Sequence, residues 1–378
     1  MTRTRLEKSL SAADHPILLE TTAQLSEAKK SWQDNDVLGI DTEFVRERTY
    51  RAELGLVQVS DGSTAWLVDT VKLDSLELLE QLLGHPAITK ILHSGSEDLE
   101  VLAHTVGTVP SPLVDTQIAC AFLGQPLQMG YHATVQWLFD VEVDKDQTRS
   151  NWCRRPLTER QRRYAAMDVV LLPQMLSILM PRLEEKGRDA WMAEEIERAR
   201  SNALREVEPA QAYLRVSGAG RLDQEARRVL RKLAAWRETT AQEKNLARGF
   251  VLPDAALLDL AKRRPGDRNA VLALESIHPK VRNRHANTFV ELIQSGVAET
   301  EPAPIPEPLN NAQRRQLGAM RDLVKKKAEA LEMEPALIAS RRELENLLRS
   351  VMDGKPLPER FSGWRKAVAT DELLALIT

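Results

Sequence analysis

The sequence predicts an α/β domain built on a mixed sheet, followed by two all-helical domains. Three observations predict it. Between residues 37 and 69 lie three closely spaced apolar runs rich in strand formers. Farther on, strand and helix patterns alternate, and beyond residue 200 only helical periodicity is left. A chain of 378 residues suits two or three domains at roughly 100–200 residues each.

Residues 37–44, 54–60 and 65–68 read as strands, and the break at Asp61-Gly62-Ser63 reads as a hairpin turn, so a three-stranded antiparallel meander is the simplest arrangement. An amphipathic stretch over 75–83, a short strand-like run over 88–92 and a helical pattern over 96–103 follow, which is the alternation that places helices on the faces of a sheet. Thr158-Glu-Arg-Gln161 is a capping-box pattern and opens another helix.

In the second half, Ala226, Val229, Leu233 and Trp236 form the apolar stripe of a bundle helix. Glu301-Pro-Ala-Pro-Ile-Pro-Glu-Pro308 alternates proline with other residues, removing backbone donors and favouring an extended linker. The stretches on either side of it are weakly alike. Trp236-Arg-Glu238, Pro253-Asp-Ala-Ala-Leu257 and Arg263-Arg264 precede it, while Met320-Arg-Asp322, Pro335-Ala-Leu337 and Arg341-Arg342 follow. The expected boundaries are therefore 1–205 for the α/β domain, 206–298 for a first helical domain, 299–309 for the linker and 310–378 for a second helical domain.

Composition narrows the function. The net charge of -3 conceals -9 over residues 1–200 and +6 over 201–378, an asymmetry that suits either a polyanion docking on the basic half or two ordinary unlike surfaces. Cys120 and Cys153 are too few for a disulfide framework or a thiolate zinc site, which fits a reducing cytoplasm. Charged Arg3, Arg5, Glu7 and Lys8 stand where a secretory signal would be apolar, and no apolar run approaches the ~18 residues of a membrane span, so export and membrane partners are not expected. Gly218-Ala-Gly220 lacks the third glycine of a dinucleotide loop, no Gly-Lys-Ser/Thr loop occurs, and no His-Glu-x-x-His occurs.

The chemistry is carried by acids. Asp41 and Glu43 are two apart on a predicted strand and so share one face, roughly 6.5–7 Å apart. Like charges held close need a cation, which is either a hard divalent metal or one of Arg46, Arg48 and Arg51. Asp98 falls in the first turn of a predicted helix that Ser94 or Ser96 could cap, where it either serves the helix dipole or faces a ligand. Tyr164 and Asp168 stand four apart on the capping-box helix, one turn above each other. Taken together, four carboxylates suit a pair of magnesium or manganese ions. Arg149, Arg154, Arg155, Arg160, Arg162 and Arg163 crowd around Trp152 and would either guide phosphates and stack a base or form a solvated face paired with Glu159 and Asp144.

These residues match ordered motifs. Asp41-Thr-Glu-Phe-Val45, Lys90-Ile-Leu-His-Ser-Gly-Ser-Glu-Asp98-Leu99 and Tyr164-Ala-Ala-Met-Asp168, with Asp115-Thr-Gln117 and Ser150-Asn-Trp-Cys-Arg-Arg-Pro-Leu157 between them, resemble the bacterial ribonuclease D family. That family lies in the tyrosine subclass of the DEDD 3'-5' exonucleases. The helical half is similar to paired HRDC domains. Asn151, where an acid is expected, and Met320, in place of a second tryptophan, depart from the pattern. The resemblance implies a ribonuclease H-like fold, ligation of two Mg2+ or Mn2+ ions by Asp41, Glu43, Asp98 and Asp168, and water activation by Tyr164. Substrate contacts are expected from Thr42, Phe44, Trp152, Arg154 and Arg155. It further implies a cytoplasmic monomer that trims RNA with a free 3' end, such as tRNA precursors and other small structured RNAs, releasing 5'-mononucleotides. A DNA 3'-5' exonuclease and a non-catalytic RNA-binding scaffold are the alternatives.

Overall fold

A computed structural model describes residues 3–143 and 150–377. Arg149 and Asp144 of the predicted basic cluster lie outside the described residues. The elements run α1 (Arg3–Asp14), β1 (Ile17–Leu19), α2 (Thr22–Gln33), β2 (Val37–Val45), β3 (Glu53–Ser60), β4 (Ala65–Val68), α3 (Glu77–Leu83), β5 (Thr89–Leu92), α4 (Ser96–Thr105) and β6 (Leu113–Asp115). Then come α5 (Thr116–Phe122), α6 (Tyr131–Phe139), α7 (Glu159–Val170), α8 (Leu172–Glu185) and α9 (Asp189–Ala203).

The strands form one six-stranded sheet in the order β1-β4-β3-β2-β5-β6. It is mixed, as the change of pattern near residue 70 predicts: β3 and β4 are antiparallel, whereas β1 with β4, β2 with β5 and β5 with β6 are parallel. Ser60 pairs with Ala65 across the predicted turn. Asp61 closes that turn by accepting the amides of Ser63 and Thr64, both at 2.7 Å, and Gly62 takes φ 83°, a left-handed conformation that favours glycine. Leu38, Ile40, Leu56, Val57, Val59 and Leu67 are fully buried, each contributing roughly 1.5–3 kcal/mol of hydrophobic stabilisation.

The predicted capping box is present, with Thr158 accepting from Gln161 and Gln161 reaching back to the Thr158 amide. At α4 the expectation differs from the structure. Gly95, not a serine, is the N-cap and no side chain caps the helix. Instead the Asp115 carboxylate accepts the amides of Ser94 (3.1 Å) and Gly95 (2.8 Å) and also caps α5 through Gln117 and Ile118. The segment Glu159–Glu185 is long and apolar enough by composition alone to cross a membrane, an exception to the expectation from apolar runs. Its most apolar window is 56% buried within the fold, as befits core helices.

The chain divides into two compact units, residues 1–45, 54–204 and 309–378 in one and 46–53 with 205–308 in the other. The second unit holds α10 (Gln224–Glu243), α11 (Arg248–Val251), α12 (Asp254–Arg263), α13 (Arg268–Leu272) and α14 (Pro279–Ala298). Its core is closed by Ala226, Val229, Leu233, Leu257 and Phe289, and Trp236 packs edge-on against Phe289 at 5.1 Å. The proline-rich stretch is tied to this unit: Arg231 donates to the carbonyls of Glu301 and Pro302, the Tyr213 hydroxyl donates to Pro304, and Ala303 is fully buried.

The last helices, α15 (Asn311–Ala330), α16 (Pro335–Ile338), α17 (Arg341–Met352) and α18 (Asp371–Ala375), share one apolar core with α5, α8 and α9. The contact is built around Glu195 of α9. Burial pushes its carboxyl up, but the Arg365 guanidinium, the Trp364 indole and Arg360 more than offset that and hold it below the usual range. Trp364 also stacks on Trp191 at 5.1 Å and meets Phe122 edge-on at 5.3 Å.

Candidate active site

β2 carries Asp41 and Glu43 to the middle of the sheet, and the period-two spacing keeps both on one side. The junction of α7 and α8 comes close because Gly39 has no side chain. A Cβ there would meet the Val169 carbonyl at 2.7 Å and Leu172 at 3.0 Å. That approach brings Asp168 of α7 to the strand. Ligand oxygens of Asp41, Glu43 and Asp168 lie within 4.8 Å of one another.

Asp98 arrives from α4, 8% exposed, with its carboxylate accepting the hydroxyl of buried Thr42. Thr42 therefore orients Asp98. At 5% exposed, Thr42 has its hydroxyl committed to that carboxylate.

The electrostatics are those of carboxylates crowded together out of water. Burial, then the charges of Asp98, Asp168 and Glu43, raises Asp41 well above the usual carboxylate range. Burial and the same neighbours push Glu43 up to about 9. Desolvation takes Asp168 to about 7 and Asp98 to about 6, in each case against the pull of a hydrogen bond, from Tyr164 and Thr42 respectively. What raises these carboxyls is burial, joined at Asp41 and Glu43 by the neighbouring carboxylates, and Arg51 is paired with Glu206 at 2.7 Å. A compact set of hard oxygen donors with surplus negative charge fits divalent cations.

Tyr164 hydrogen-bonds Asp168, one helical turn away, and burial with the carboxylate charges pushes its phenol pKa upward. Trp152 packs beside it, ring centroids 6.1 Å apart. Trp152 is only 1% exposed and so offers no face on which a base could stack. Arg155 is equally committed: it grips Asp69 at 2.5 and 2.7 Å and the carbonyls of Gly55 and Trp152 at 2.7 Å. Arg155 thus straps the Trp152 backbone to Gly55 and Asp69, beside Tyr164. Arg154 is exposed and Phe44 is half-buried. Arg163 pairs with Asp14 at 2.6 Å.

Asp41, Tyr164 and Asp168 open into a cavity of about 730 Å3 whose remaining wall is mostly polar, with His93, Glu97, Gln117 and Gln128 among its residues. Residue patterns alone missed this wall. His93 has both ring nitrogens engaged, one with Thr116 Oγ1 at 2.8 Å and the other with the Met129 carbonyl at 2.9 Å, and burial lowers its pKa. Tyr131, also on the wall, donates to the Met167 carbonyl at 2.6 Å and so ties α6 to the helix bearing Tyr164 and Asp168.

A mixed sheet that gathers four acids and a tyrosine beside an open cleft, followed by helical modules, defines a class of nuclease, and comparisons with known proteins give the same class. The 3'-5' exonuclease family matches residues 16–184, the HRDC domain matches 226–293, and the C-terminal HRDC domain of ribonuclease D matches 313–373. The ribonuclease D of Pseudomonas paraeruginosa is 38% identical over 91% of this chain and 93% of its own length. That of Escherichia coli is 34% identical over 95% and 96%. The crystal structure of Escherichia coli RNase D, described as an exoribonuclease involved in structured RNA processing, superposes with a TM-score of 0.87 at 32% identity, covering 96% of this chain and 98% of that one. The chain belongs to the ribonuclease D family and is a 3'-5' exoribonuclease.

Proposed function

We propose that Asp41, Glu43, Asp98 and Asp168 hold two divalent cations, Mg2+ or Mn2+, and that the enzyme removes 5'-mononucleotides one at a time from RNA 3' ends. The observation that carries this reading is the convergence of three carboxylates within 4.8 Å, with Asp98 close enough to raise Asp41. When bound, such cations supply Lewis-acid stabilisation of the charge that develops on the scissile phosphate.

The chain's residues do the rest. Asp41 and Glu43, on a rigid central strand, set the position of the phosphate relative to α7. Thr42 fixes the Asp98 carboxylate. Tyr164, held by Asp168 and backed by Trp152, orients the attacking water through its hydroxyl. Because burial, with the neighbouring carboxylates, favours the protonated phenol, its work is hydrogen bonding. Exposed Arg154 and half-buried Phe44 remain the expected contacts to the RNA strand. tRNA precursors and other small structured RNAs are the proposed substrates, acted on by a cytoplasmic monomer. The family resemblance supports these features.

End-labelled RNA and DNA of the same sequence, incubated with magnesium and then with EDTA, test this. RNA should shorten stepwise from the 3' end and stop on chelation. Asp41→Asn should slow cleavage by at least about a hundredfold, as loss of one charge-stabilising group does, while folding persists. DNA shortened as fast as RNA would favour the DNA exonuclease, and RNA bound but never shortened would favour the scaffold.

A further inference from the structure

Beside the catalytic cleft lies a second cavity, of about 300 Å3, between the nuclease helices α5 and α9 and the last helical module. Gln117 and Gln128 line both cavities, so the two are neighbours along one wall. Their chemistry is unlike. The catalytic cleft is acidic, whereas the second cavity has apolar faces from Ile118, Leu127 and Leu337 and amide edges from Gln117, Gln128 and Asn202.

Its charges are already spent. Arg198 and Arg360 both pair with Glu195, at 3.1 and 3.2 Å, and Glu195 also accepts from Arg365 and Trp364. The amides are not spent. Gln128 and Asn202 make no side-chain hydrogen bond among the described residues, and Gln117 uses only its Nε2, on the Met129 carbonyl at 3.1 Å. Apolar faces with free donor and acceptor edges and balanced charge suit a flat heteroaromatic ring better than a phosphate. Unpaired RNA offers such rings, recognised by splaying the base out and bonding its edge.

We propose that this cavity takes one unpaired nucleobase of the substrate strand, a few nucleotides from the 3' end, and that the last helical module completes the pocket through Leu337. The proposal rests on RNA being the substrate. It gives that module a part in selecting single-stranded 3' tails.

The probe is a single-stranded RNA carrying 2-aminopurine at each of its last four positions in turn, bound to full-length protein bearing Asp41→Asn so that no cleavage is needed. One position should change its fluorescence on binding, and adding Ala199→Phe, which fills the cavity, should abolish that change. In the otherwise unaltered enzyme, Ala199→Phe and Asn202→Ala should raise KM for the oligonucleotide by about tenfold. Turnover of a nucleoside 5'-(p-nitrophenyl phosphate), too short to reach the cavity, should stay within about twofold. If Ala199→Phe impairs the small ester too, Asn202→Ala, at an exposed amide, decides alone. A fluorescence change that survives the substitutions, with KM unaltered, overturns the proposal. Failure of the unaltered enzyme to shorten RNA would instead overturn the reading of the reaction, which the binding arm does not depend on.

Discussion

The two HRDC-type modules are alike in sequence and differ in how they are held. The first closes a core of its own around Val229, Leu233, Leu257 and Phe289 and forms, with residues 46–53 and the proline-rich stretch, a separate compact unit. The second has no such independence: Leu317, Met320, Leu347 and Trp364 belong to the same core as Phe122, Leu179 and Ile196 of the nuclease. Each unit contains a buried glutamate met by arginine, but in different settings. Glu238 of the first module bonds Arg248 at 2.6 Å and the Tyr50 hydroxyl at 2.6 Å inside its own unit. Glu195 belongs to the nuclease and, besides Arg198 of its own helix, takes Arg360, Trp364 and Arg365 from the last module. A repeated helical module can thus be a body of its own or a wall of its neighbour, depending on which face is apolar.

The largest test of that contrast is truncation after Pro308. Residue patterns suggest a detachable module, so that deleting residues 301–378 would weaken binding to long RNA and spare hydrolysis of short oligomers. The shared core implies otherwise. Removal uncovers Phe122 and Trp191 and strips Glu195 of Arg360, Trp364 and Arg365, opening the shared apolar core to water. Hydrolysis of even a dinucleotide should be lost, read as release of mononucleotide, together with a lower melting temperature. A fully active truncated enzyme would break the comparison.

Single substitutions sharpen it. Arg365→Leu should lower the stability of the nuclease unit by about 3 kcal/mol in calorimetry, while the transition of the first module stays in place. Metal and pH should divide the units in the same way. Folded Glu43 holds its proton up to about pH 9, whereas an unfolded glutamate releases it near ~4.3. The folded state therefore binds more protons between those values, and without metal the stability of the nuclease unit should fall as pH rises through that window. Magnesium should flatten the fall, and the first module should respond to neither. The smallest effect is expected from Arg231→Ala, which removes the ties to Glu299 and to the proline-rich stretch. It should shift the first module by about 1 kcal/mol or less and leave RNA hydrolysis unchanged.

Much of the site was legible because its periods are local. Asp41 and Glu43 share a face by the alternation of a strand, and Tyr164 and Asp168 by one turn of a helix, so neither pair depends on tertiary contacts to be noticed. Bringing Asp98 to them required the family resemblance, since an acid in a first helical turn has a sufficient local reason to be there. What stayed hidden depends on contacts distant in sequence. Arg155 meets Asp69 across 86 residues, a bond that no local pattern around Trp152 foretells. Thr42 meets Asp98 across 56. The polar wall of the cleft is assembled from the segment around His93, from Gln117 of α5 and from the segment leading into α6, and no spacing within any one of them announces it.

The central claim is that four carboxylates from β2, α4 and α7 form one cage for paired cations. Anomalous diffraction from crystals soaked in manganese tests it most directly. Two peaks should appear about 3.5–4 Å apart, each touching oxygens of Asp41, Glu43, Asp98 or Asp168. Manganese bound elsewhere, with these four side chains bare at saturating concentration, would contradict it.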